Sequence, residues 1–124
     1  MSLIIKKCNK CNALVEVLND CKCENCGISC CGEPMQVVSA NNKEYSFEKH
    51  LPVVEVCGNY IIVSVSHVME EKHYIQWIAL ATDNTLGKKF LKPSDTAKAI
   101  FPYVKGSRVY AYCNIHGLWT AEVE

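Results

Sequence analysis

Residues 53–67 read VVEVCGNYIIVSVSH, two β-branched runs with Gly58 and Asn59 between them. On either side of that pair apolar side chains recur at every second position, the period of a half-buried strand. A two-residue break of this composition predicts a β-hairpin. Downstream, KHYIQWIALAT (72–82) reads as another strand stopped by DNTLG (83–87), and SRVYAYCNIH (107–116) ends the last hydrophobic run. KPSDTAKAIFPYVKG (92–106) is expected to form a loop with one short helical turn after Ser94. Short strands separated by turns, with little helix, predict a mainly β chain built around a sandwich.

Upstream the character changes. Residues 1–37 are dense in cysteine and poor in large apolar side chains, too small a segment to fold on hydrophobic burial alone. VVSANNKEYSFEKH (37–50) is a polar passage in which Asn41 and Asn42 favour a turn, and it places a domain boundary near 38–40. The expected organisation is a small metal-bound module over 1–37 and a sandwich over 38–124.

The 124 residues carry 13 basic and 13 acidic side chains, so no global field attracts nucleic acid or an anionic membrane surface. No apolar run approaches the roughly 18–20 residues that span a bilayer. MSLIIKKCNK lacks the long apolar core of a secretory signal, and the expected location is the cytoplasm. Of nine cysteines, seven fall between Cys8 and Cys31. Disulfides do not persist in a reducing compartment, and thiols this dense point to metal.

Cys8 and Cys11 form a Cys-x2-Cys pair, which delivers two thiolates to one ion; two such pairs complete a tetrahedral site for zinc or iron. Partnering with Cys23 and Cys26 gives a zinc-ribbon-like site, whereas partnering with Cys30 and Cys31 gives a rarer one in which adjacent residues share a metal. With Cys21 as a further thiol, an iron–sulfur cluster is a third possibility. A second constellation comprises His50, His67, His73, Cys113 and His116. Strand parity sets His67 on the side of Ile61, Val63 and Val65, and only five residues separate it from His73. Four imidazoles and one thiolate are not a zinc pattern, because zinc takes four ligands or three plus water. Five protein ligands leave one octahedral position open, which suits iron. Cys57 reads as a small, partly buried hydrophobe, and Trp77 and Trp119 as core or interface aromatics.

At CNKC (8–11) with CCGEPM (30–35), EKHLPV (48–53), HVMEEKHYIQWI (67–78), FLKP (90–93) and YCNIHGLW (112–119), the chain resembles the desulfoferrodoxin family of superoxide reductases over nearly its whole length. The resemblance implies a desulforedoxin-like module binding one iron through Cys8, Cys11, Cys30 and Cys31. An immunoglobulin-like β-sandwich would follow, with a non-haem iron held by His50, His67, His73, His116 and the axial Cys113. It implies one-electron reduction of superoxide to hydrogen peroxide without oxygen evolution, a role in detoxification under oxidative stress. Glu48 matches the carboxylate that closes the resting site, and Lys49 the cation that attracts superoxide. A rubredoxin-like electron donor and a homodimer are the implied partners. The insertion NDCKCENCG (19–27), with Cys21, Cys23 and Cys26, departs from the family pattern, and Val68 stands where proline is common. Two rival readings are a rubredoxin-like electron-transfer protein and a structural zinc module on a binding sandwich. The chain has no His-x-His of a cupin-type metal enzyme and no His-x-Glu of a zinc deaminase.

Overall fold

The computed structural model describes residues 3–22, 27–43 and 50–124. They divide into two compact units, Leu3–Ser39 and Ala40–Glu124. The described residues form strands, bridges and turns, with no helix.

The first unit holds β1 (Ile5–Lys7), β2 (Leu14–Glu16), β3 (Ser29–Cys30), β4 (Glu33–Pro34) and β5 (Gln36–Val37). β1 is the centre of a three-stranded antiparallel sheet, with β2 on one side and β5 on the other, and β3 pairs with β4 as a two-residue hairpin. Its buried apolar side chains are few, chiefly Leu3, Ile5, Val17 and Met35. Lys6 is buried as well, its Nζ 2.9 Å from the Asp20 carboxylate. That ion pair ties β1 to the start of the cysteine-rich insertion and lowers the carboxyl pKa of Asp20.

The second unit is an immunoglobulin-like sandwich of β6 (Ala40–Asn41), β7 (Val53–Cys57), β8 (Tyr60–Ser64), β9 (Ile75–Ala81), β10 (Leu86–Phe90), β11 (Lys98–Pro102), β12 (Arg108–Cys113) and β13 (Gly117–Glu122). One sheet runs β10-β9-β12-β13-β6 and the other β11-β8-β7. Valine, isoleucine and aromatic side chains favour these pleated positions because they pack well against cross-strand neighbours. The core lies between the sheets: Ile61 and Val63 of β8 and Ala99 and Phe101 of β11 belong to one cluster with Ile78 and Leu80 of β9 and Val109 and Ala111 of β12. The β7–β8 hairpin forms at the position read from the sequence. Cys57 pairs with Tyr60 around a two-residue turn in which Gly58 has φ 65°, a backbone region costly for a side chain with Cβ.

The structure differs from the sequence reading in the second half. The segment 92–106 has no helical turn. Lys92 and Asp95 close a tight turn with Ser94 at φ 75°, and Lys98–Pro102 is a strand. Alanine and lysine are weak strand formers, but burial alternates strictly from Ala97 to Pro102, and packing of Ala99 and Phe101 on the core outweighs propensity. Pro102 is tolerated because β11 is an edge strand. β9 ends before DNTLG, as read, but the sheet continues beyond the strands read from the sequence: the chain returns as β10 from Leu86, and after Cys113 it turns at Asn114–His116 and pairs back as β13.

Ile78 is fully buried and Ile100 is 67% exposed. Ile78→Ala should therefore lower unfolding stability by about 2–5 kcal/mol, and Ile100→Thr should change it by less than about 0.5 kcal/mol. Urea denaturation of both variants checks the assignment of inner and outer faces.

Candidate metal centres

Three segments of the sandwich unit bring five donors together. His50 precedes β7, His67 and His73 lie in the connection from β8 to β9, and Cys113 ends β12 with His116 in the turn to β13. One ligand atom from each lies within 4.8 Å of all the others. The imidazoles form a closed ring: centroids are 4.8 Å apart for His50–His67, 4.7 Å for His67–His73, 5.0 Å for His73–His116 and 4.8 Å for His116–His50. The Cys113 sulfur lies 3.5 Å from His67 Nε2 and 3.8 Å from His116 Nδ1. Donors held about 2.1 Å from one ion at right angles are about 3.0 Å apart, and His50 Nε2 is 3.0 Å from His116 Nδ1. The residues therefore fit a metal ion inside the ring.

Local structure explains the placement. At the end of the β9–β12 ladder the register shifts, so that Tyr112 faces Trp77 but Cys113 faces Ile75. A bulge of this kind re-aims a side chain, and Cys113 ends fully buried on the core side. The three-residue turn that follows closes at Gly117, with φ 90°, and directs the His116 backbone N–H to the Cys113 sulfur at 3.3 Å. His50, also buried, stacks on Trp119 with ring centroids 4.6 Å apart and planes 12° apart. His67 donates from Nδ1 to the Val68 carbonyl at 2.6 Å. His73 pairs with Glu70 through both backbone groups. Cys113 and His50 are buried, His67 and His73 half-buried and His116 exposed.

The other centre lies in the first unit. Cys8, Cys11, Cys30 and Cys31 present sulfurs that all lie within 4.8 Å of one another. Four thiolates bound tetrahedrally at about 2.3 Å sit about 3.8 Å apart; Cys11 and Cys30 are 3.6 Å apart and Cys30 and Cys31 3.9 Å. Left-handed backbone at Asn12, Cys31 and Gly32 folds the two pairs toward each other. Backbone N–H groups of Cys11 and Lys10 lower the Cys8 thiol pKa to about 6, and the Cys11 and Cys8 side chains push Cys30 up to about 12. Like charges this close oppose joint ionisation, and a bound cation removes that opposition.

Of the other residues singled out in the sequence, Cys21 is exposed beside Asp20 and is not among the four clustered thiols. Cys57 is half-buried at its hairpin. Glu48, Lys49, Cys23 and Cys26 lie outside the described residues. Two residues given no role at the site prove to belong to it. Trp119 lies under His50, on a strand absent from the sequence reading. Asn114, between two donors in CNIH, bonds to the backbone on both sides of His73.

A family model, Desulfoferrodoxin, matches residues 42–122. The chain belongs to the desulfoferrodoxin family. It is 43% identical over 124 residues to a desulfoferrodoxin of Syntrophotalea carbinolica, covering 97% of this chain and 96% of that one. The crystal structure of the superoxide reductase of Treponema pallidum shares the fold, with a TM-score of 0.75 at 24% identity over 98% of both chains. A superoxide reductase of Giardia intestinalis superposes with a TM-score of 0.54 at 31% identity, covering 62% of this chain and 98% of its own. Among the described residues no helix is long and apolar enough to cross a membrane.

The two desulfoferrodoxin donor sets share no residue. Cys11→Ser should remove metal from the thiolate site and leave the histidine site loaded, and Cys113→Ser should affect only the latter. Metal content per chain, with the visible spectrum of each variant, checks this separation.

Proposed function

We propose that the protein is a superoxide reductase. A ferrous ion held by His50, His67, His73, His116 and Cys113 would supply one electron to superoxide, which takes up two protons and departs as hydrogen peroxide, with no dioxygen formed. The observation that carries this reading is the closed ring of four imidazoles with the buried Cys113 sulfur against it. Four neutral imidazoles and one thiolate contribute a single negative charge, so the occupied site stays positive toward an anion. Burial keeps water from the Cys113 sulfur, and the His116 N–H tempers its basicity.

Lys49 attracts superoxide and orders proton-donating water in this proposal, and Glu48 closes the resting site. Cys8, Cys11, Cys30 and Cys31 hold a second iron that stores or passes an electron. The mutual closeness of all four sulfurs supports a single ion over a cluster that spreads its thiolates over several irons. A small reduced protein of the rubredoxin type supplies electrons, and the enzyme works in the cytoplasm as a homodimer.

Anaerobic, iron-loaded protein given measured doses of superoxide should form one peroxide per superoxide consumed and no dioxygen. One peroxide and one dioxygen from every two superoxides would mark a dismutase, and decay no faster than in buffer would leave an electron carrier. Lys49→Ala should slow the reaction most at low ionic strength, where the Debye length is longest; an equal rate there would remove the lysine from the mechanism.

A further inference from the structure

We infer that Asn114 is a positioning residue of the histidine centre: its side-chain amide splints the backbone on both sides of His73 to the strand that carries Cys113. The inference rests on reading the five clustered donors as an iron site. Asn114 Oδ1 accepts a hydrogen bond from the Tyr74 N–H at 3.0 Å, and its Nδ2 donates to the Lys72 carbonyl at 3.0 Å. Its own N–H reaches the Tyr74 carbonyl at 3.3 Å. The N–H and carbonyl of His73 are both taken by Glu70. Residues 72–74 are thus held from two directions, within their loop by Glu70 and across it by Asn114.

The fold requires such a device here. Glu70, Glu71 and Lys72 are exposed, and regular pairing of β9 begins only at Ile75, so little burial fixes the segment that carries His73. The register shift sets Cys113 opposite Ile75, which brings the next residue, Asn114, to Tyr74. There the asparagine side chain continues the ladder where strand geometry has ended. An amide offers both a donor and an acceptor at this reach, whereas a carboxylate offers acceptors only. The substitution Asn114→Asp could keep the bond from Tyr74 but would set an oxygen against the Lys72 carbonyl.

Outer partners that orient a metal ligand are worth about 10–100-fold in metal affinity. The test measures iron release to a chelator from the full-length wild type, Asn114→Ala, Asn114→Asp, His73→Ala and the Asn114→Ala/His73→Ala double variant. Amide hydrogen exchange at Tyr74 is followed on the iron-free proteins. Release should quicken about 10–100-fold in Asn114→Ala and change by less than about twofold when that substitution is added to His73→Ala, because the two residues act as one unit. Tyr74 exchange should rise in Asn114→Ala and stay near wild type in Asn114→Asp. Unchanged release, or losses that multiply independently in the double variant, would overturn the inference. If Asn114→Ala does not fold, Asn114→Asp decides it: faster release with Tyr74 still protected supports the splint, and wild-type release refutes it. A wild type that retains no iron would defeat the reading of the site itself, while Tyr74 exchange would still report whether the splint exists.

Discussion

The sulfur of Cys113 is wholly buried, and a buried thiolate is stable only where donors and positive charge surround it. Much of this end of the sandwich follows from that requirement. The register shift turns Cys113 inward, the glycine-closed turn aims a backbone N–H at it, and imidazoles from distant parts of the chain complete the surroundings. Residues 63 positions apart in sequence, His50 and Cys113, meet at one point because the strands between them pack across a common core. The site is therefore a product of the tertiary fold.

The thiolate centre is built by the opposite route. Its four cysteines arrive as two short pairs, and left-handed residues in the turns set the spacing. The unit around it buries few large side chains, so an ion bound by the four cysteines would add to its stability. The sandwich has a continuous apolar core of its own and does not depend on a bound ion in the same way. The two donor sets thus differ in what holds them: turn geometry in one unit, the packing of a large core in the other.

Features written in local periodicity were legible in the sequence. The β7–β8 hairpin, β9, β12 and the inward parity ending at His67 could all be read from alternation and turn residues. β11 escapes a sequence reading because Lys98 and Ala99 have little strand propensity, and the burial of Ala99 and Phe101 comes from packing on the core. β10 and β13 were missed because LGKKF and GLWTAE are strands only through the neighbours they pair with. The five histidine-site residues and the Cys8, Cys11, Cys30 and Cys31 set could be named from motif resemblance, and the structure brings each set together. The bonds made by Asn114 depend on a register shift that no periodicity announces.

Local contacts decide which nitrogen His67, His50 and His116 turn toward the cluster. The proton on His67 Nδ1 goes to the Val68 carbonyl, which fixes the tautomer and leaves Nε2 to face the Cys113 sulfur. His50 likewise turns Nε2 inward, toward His116. His116 meets both with Nδ1 instead, because it lies three residues after Cys113 in a tight turn and its ring approaches from close to its own backbone. The inward Nδ1 of His116 and its backbone hydrogen bond to Cys113 thus both come from one three-residue turn.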